Sequence, residues 1–361
     1  MSEKYPLSRK MRKIIDISAL FIERDVDKLT PETIDAMNTR SVASRRVVRK
    51  LLYKPSRLIS KTTYVIPVNE GVVTGYFFNS LEDLTLTSLK PMIIYFHGGG
   101  WVFGNMDLYG MYCSHVAHLT GACVLLVDYR LAPKYKFPTA VEDCYDSYLW
   151  ALQGIKYWKV DPDRVFLMGD SAGGTLCAGV SLLARDRKVM MPSGQILLYP
   201  CTDGRLRTES FAQYSDSPTL SEKQMQFYIS SYQREPKDIL SPLFSPLLAS
   251  DLSRQPDTLV IGADYDPLKD DGRLYAEALN AAGSTANYLC VKGTVHGYAL
   301  YPHATGTAQT DCMLRQFTSG RPCQKIQPLT ETELKRDGRM KMQAAKERLH
   351  EKDSSASAAD D

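Results

Sequence analysis

Two short stretches of this sequence carry residue types whose spacing could perform acyl transfer. The first is Gly169-Asp170-Ser171-Ala172-Gly173. A serine hydroxyl is a weak nucleophile until a base stands beside it and the backbone holds it forward. Small flanking residues let the chain make the sharp strand-to-helix turn that does this, and the start of the following helix lies under the developing negative charge. Alone the pattern is weak, since a chain with 23 glycines produces it by chance in about one case in ten. The second stretch, His97-Gly98-Gly99-Gly100-Trp101, is far rarer by chance. Backbone without side chains can approach a substrate closely, and acyl transfer needs N–H groups aimed at a tetrahedral oxyanion. A dinucleotide loop does not fit, because Gly98, Gly100 and Gly104 are spaced one residue too wide for G-x-G-x-x-G. No Walker A or HExxH pattern occurs, so no metal and no cofactor are expected.

Both stretches follow short apolar runs that alternate with helical patterns. Strands are expected at 92–96, 123–128, 165–168, 196–199, 258–261 and 288–291, and helices at 109–119, 140–153, 172–185 and 271–282. Strands that are apolar on both faces, each followed by a helix, indicate an α/β fold with a doubly wound, mostly parallel sheet covered on both sides. A hairpin over 65–78, turning through Asn69-Glu70-Gly71, precedes them. The catalytic domain is read as 61–319. Two segments break the rhythm. Residues 1–60 read as helical and rich in Lys and Arg. Residues 201–240 follow a strand's carboxyl end and hold Ser221 with Gln224 three residues on, which marks a helix start. Ligands bind at that end of such sheets, so both segments are expected to form a helical cap. Residues 320–361 are charge-dense and read as a mobile tail, with an exposed helix over 331–350 as the other reading.

The strings HGGGW at His97, DYRLAP at Asp128, FPTAVED at Phe137, GDSAGG at Gly169, ADYDPL at Ala263 and HGY at His296 span Met92 to Tyr298 in order. In them the chain resembles the hormone-sensitive-lipase-like family of α/β-hydrolases, in its bacterial acetyl-esterase and carboxylesterase branch. Two departures stand out: Lys134 where the family usually has Glu, which puts a local ion pair in doubt, and Tyr298 where Phe is common. The resemblance implies the α/β-hydrolase fold and a chain order of nucleophile, acid, histidine. After Ser171 come only His296, His303 and His350. His350 lies in the charged tail and His303 in a Tyr-Pro-His turn, which favours His296, in the loop after a strand. Among Asp264, Asp266, Asp270 and Asp271, the last two suit a helix start. Asp266, held extended by Pro267, is favoured over Asp264, and the family's acid falls on the same residue. The expected machinery is Ser171, Asp266 and His296, with an oxyanion hole from the N–H groups of Gly98, Gly99 and Ala172. Trp101 and Tyr298 are candidates for the pocket wall. His97 and Asp170 are read as supporting residues.

Composition narrows the partners. The 361 residues carry 44 Lys and Arg against 41 Asp and Glu, a net charge of +3 that makes no case for nucleic acid. No apolar run reaches the roughly 18 residues of a membrane span, and no secretory signal is evident at the N-terminus. Eight cysteines without a CxxC pair read as reduced, mostly buried thiols of a cytoplasmic protein. The function expected is a cofactor-independent serine hydrolase of short-chain carboxylic esters, acting on a small-molecule ester; a homodimer is left open. The competing readings are a non-catalytic binding protein on the same fold and a hydrolase of amides or lactones.

Overall fold

The computed structural model describes residues 4–18, 25–41, 52–81, 88–328, 330 and 332–333. Eight strands form one sheet: β1 (Ile59–Val68), β2 (Gly71–Ser80), β3 (Lys90–Phe96), β4 (Cys123–Asp128), β5 (Val160–Asp170), β6 (Gly194–Leu198), β7 (Asp257–Tyr265) and β8 (Ala286–Val295). Their order is β1-β2-β4-β3-β5-β6-β7-β8, with only β1–β2 and β2–β4 antiparallel. The expected mostly parallel sheet is therefore present. All six strands expected after the hairpin form, each at least as long as its apolar run.

The helices are α1 (Arg9–Ser18), α2 (Pro31–Thr39), α3 (Met106–Thr120), α4 (Thr139–Gly154), α5 (Ala172–Asp186), α6 (Glu209–Gln213), α7 (Glu222–Tyr232), α8 (Lys269–Ala281) and α9 (Thr307–Thr318). Alternation along the strands splits the core in two. Met92, Ile94 and Phe96 of β3 face one cluster with α4, α5 and α8, whereas Ile93 and Tyr95 face a second with α3 and α9. This is the two-sided burial that makes such strands apolar throughout.

Several expectations are corrected. Residues 1–60 are not helical to the end, because Ile59 and Ser60 already open β1. Helix α9 was absent from the sequence reading: its buried stripe includes Thr310, whose hydroxyl lies 2.6 Å from that of Tyr298, and so its apolar spacing looks broken. At the departure from the family pattern, Lys134 lies over the Tyr135 ring, and nearby Arg130 binds Asp143 at 2.6 Å.

The compact unit runs to Ile326, past the expected boundary at 319. Cys323 and Ile326 are each 1% exposed, and Asn287 Nδ2 donates to both of their carbonyls. A second unit covers Gln327–Asp361; in it the Thr330 hydroxyl donates to Glu333. The helix considered at 331–350 lies outside the described residues except 332 and 333. A chain ending at Ser319 should therefore be less stable than one ending at Ile326 by roughly 2–4 kcal/mol, the worth of the apolar burial lost. Urea denaturation midpoints of the two truncations check this; equal midpoints would contradict the boundary.

Candidate active site

Sheet register gathers the site. Phe96 of β3 pairs with Gly169 of β5, so His97-Gly98 and Asp170-Ser171 leave the sheet side by side. Tyr265 of β7 pairs with Val295 of β8, so the next residues, Asp266 and His296, also emerge as neighbours. Between β5 and α5, Ser171 adopts φ 52°, ψ −122°, a strained conformation for a residue with a side chain. A Cβ on Gly169 would overlap the Gly173 backbone, and one on Gly173 would overlap the Phe96 carbonyl. Glycine at both positions is what allows the turn to sit this close. The Ser171 N–H donates to the Leu198 carbonyl at 2.8 Å, which ties the turn to β6.

Ser171 occupies the N-cap of α5 without capping it. Its Oγ instead lies 2.8 Å from His296 Nε2. His296 Nδ1 lies 2.7 Å from Asp266 Oδ2. A carboxylate there accepts the Nδ1 proton and leaves Nε2 as the acceptor facing the hydroxyl. Asp266 is 0% exposed, and its other oxygen accepts from the Leu268 N–H at 2.9 Å. Asp264 is engaged elsewhere. It accepts from Gly293 N–H at 3.1 Å and pairs with Lys292 and Lys269. Burial pushes its carboxyl up, but these partners outweigh burial and hold it below the usual range. Asp270 accepts from Ser210 N–H, Asp271 from Thr202 and Asp203, and His303 is exposed. Of the described candidates, the structure brings Ser171, His296 and Asp266 into one hydrogen-bonded chain and leaves the others out, while His350 lies outside the described residues.

The glycine loop differs from expectation at one position. The Gly98 N–H donates to Asp170 Oδ1 at 2.8 Å, so it is turned away from the nucleophile. Gly99 and Gly100 line the cavity with Ser171, and their N–H groups donate to no protein acceptor among the described residues. The Ala172 N–H belongs to the first turn of α5, where N–H groups have no intrahelical partner. Gly100 is needed for a second reason: a Cβ there would collide with the ring of Tyr228 from α7. His97 is buried and stacks on Tyr129 at 4.2 Å, with Nδ1 2.8 Å from the Gly98 carbonyl. Burial lowers its pKa to about 4, so the ring is a neutral brace.

The cavity has a volume of about 130 Å³. Ser18 of α1 and Thr219, Leu220 and Tyr228 of the 201–240 segment contribute to its wall, along with Leu108 and Tyr301. Neither aromatic expected at the wall is there. Trp101, 1% exposed, stacks on Tyr232 at 4.8 Å and meets Phe244. Tyr298, fully buried, is anchored on Thr310 of α9 and packs behind Tyr199. Tyr199, whose ring lies 4.8 Å from that of His296, was missed; its positive φ of 36° at the end of β6 is not marked in the sequence. Among the described residues no group of His, Cys, Asp or Glu gathers as a metal-binding set.

A family model for the α/β hydrolase fold matches residues 93–300. The chain belongs to the α/β-hydrolase fold family. As the sequence resemblance implied, its relatives include several esterases. An arylesterase of Saccharolobus solfataricus is 37% identical over 267 residues, 71% of this chain and 86% of the relative. An ethyl acetate hydrolase of Pseudomonas putida is 35% identical over 207 residues, 57% of this chain and 65% of the relative. The solved esterase of Pyrobaculum calidifontis superposes with a TM-score of 0.76 at 32% identity, covering 89% of this α/β-hydrolase and 100% of that chain.

The burial of Trp101 separates stability from substrate contact. Trp101→Ala should lower unfolding free energy by about 3–5 kcal/mol, read from urea denaturation, and leave KM for a small ester within about threefold. A large KM change at unaltered stability would return Trp101 to the pocket wall.

Proposed function

We propose that the chain is a serine carboxylesterase that hydrolyses short-chain carboxylic esters through an acyl-enzyme, with Ser171 as nucleophile, His296 as general base and acid, and Asp266 as its orienting anion. The observation that carries this reading is the unbroken chain Asp266–His296–Ser171 at 2.7 and 2.8 Å beside two cavity-lining glycines whose N–H groups have no acceptor among the described residues. His296 Nε2 takes the hydroxyl proton as Ser171 Oγ attacks the ester carbonyl. The carbonyl oxygen becomes an oxyanion that accepts hydrogen bonds from the N–H groups of Gly99, Gly100 and Ala172. His296 then gives its proton to the leaving alcohol, and water repeats the sequence on the acyl-enzyme. Asp266 holds the imidazole in the required tautomer throughout.

Segments 1–60 and 201–240 form the cap in this reading, supported by the wall residues Ser18, Thr219, Leu220 and Tyr228. A cavity of about 130 Å³ is small beside the roughly 300–1,000 Å³ of most ligand pockets, which supports a short acyl group. The binding-protein alternative is not favoured, because all three members of the triad are present and in contact and the named relatives are hydrolases. A cytoplasmic location is supported by eight cysteines, all free and seven of them buried.

Ser171→Ala should reduce turnover of p-nitrophenyl acetate by several orders of magnitude and abolish fluorophosphonate labelling. Asp266→Asn should lower kcat by roughly ten-thousandfold, and Asp264→Asn by far less. Inverted ranking of the two Asn variants would move the acid to Asp264. Across p-nitrophenyl esters of rising chain length, kcat/KM should peak between acetyl and hexanoyl; a maximum at long chains would refute the narrow acyl site.

A further inference from the structure

Asp170 stands beside the nucleophile in the chain, is 2% exposed, and takes part in none of the steps above. Its Oδ1 accepts from the Tyr95 hydroxyl at 2.7 Å and the Gly98 N–H at 2.8 Å, and its Oδ2 from the Tyr109 hydroxyl at 3.3 Å. All three donors are neutral. The nearby phenols of Tyr112, Tyr129 and Tyr199 and thiols of Cys113 and Cys177 are held well above their ordinary pKa by burial, and so stay uncharged. Burial also pushes the Asp170 carboxyl up; the Tyr95 and Gly98 hydrogen bonds, the charge on His296 and the Tyr109 hydrogen bond pull against it. The glycine loop is shaped to this carboxyl, because a Cβ on Gly98 would overlap it.

We propose that Asp170 is a positioning residue: by accepting from the Gly98 N–H it locks the glycine loop to the nucleophile turn and sets which loop N–H groups face the oxyanion. The proton passes only from Ser171 Oγ to His296 Nε2, and no bond forms to Asp170. By consuming the Gly98 N–H, Asp170 leaves Gly99 and Gly100 as the loop's donors to the oxyanion. This inference rests on the esterase reading of Ser171 and His296.

The test uses the full-length chain and p-nitrophenyl acetate. Asp170→Asn keeps an oxygen for Gly98, and Asp170→Ala removes the acceptor. The alanine variant's kcat should be about tenfold below that of the asparagine variant, with KM within about threefold and a parallel loss of affinity for a trifluoromethyl ketone that forms the same tetrahedral oxyanion. If the alanine variant does not fold, Asp170→Leu, of similar shape without an acceptor, replaces it. A folded variant lacking the acceptor whose kcat and ketone affinity equal those of Asp170→Asn, whatever its denaturation midpoint, would overturn the proposal. Ser171→Ala is the separate control: turnover surviving in that variant would sink the esterase reading itself, independently of Asp170.

Discussion

The site depends on one close approach, that of the turn after β5 to the end of β3. Ser171 can stand forward at φ 52° only because nothing projects from Gly169 or Gly173 into the Phe96 carbonyl and the backbone beside it. Any side chain at those positions would push the serine away from His296 or the glycine loop away from the serine. The strain at Ser171 is borne by the sheet, whose central strands are buried on both faces and bonded to both neighbours. The N–H of Ser171 on the Leu198 carbonyl adds a third strand to the anchoring.

From that point register does the rest. Parallel strands that end level deliver their following residues to one edge, which is where open α/β sheets bind ligands. The β7–β8 ladder shifts between Ala263 and Tyr265, and it is the later pairing, Tyr265 with Val295, that sets Asp266 against His296. Had the earlier register continued, His296 would stand opposite Leu268; Asp264 braces the Lys292-Gly293 turn. The glycine loop is fixed on two sides, by Asp170 under Gly98 and by the Tyr228 ring over Gly100. Tyr228 therefore links the 201–240 segment directly to the loop that faces the oxyanion.

Much of this was legible in the sequence, for physical reasons. Strands buried on both faces advertise themselves as short apolar runs, and a nucleophile turn advertises itself through its glycines, so β3 to β8 and Ser171 were found. Asp266 and His296 followed from chain order and from loops placed after strands. What escaped depends on hydrogen bonds between distant residues. Nothing local reveals that Asp170 claims the Gly98 N–H rather than that of Gly99. Trp101 and Tyr298 next to the motifs suggested a pocket wall, but their rings turn into the core, one onto Tyr232 and Phe244 and the other onto Thr310. Helix α9 was hidden by its buried threonines. The limit of the folded unit at Ile326 was hidden because Cys323 and Ile326 are two isolated apolar residues in a polar stretch.

The central claim is that the hydroxyl of Ser171 becomes covalently acylated during turnover. The most direct measurement is rapid acid quenching of the enzyme during hydrolysis of p-nitrophenyl acetate, followed by mass spectrometry of the digested chain. The account predicts one acetyl group per active chain, located on the peptide that contains Ser171 and formed as fast as the burst of p-nitrophenol. Steady turnover with no adduct, or with the acetyl group on another residue, would contradict it.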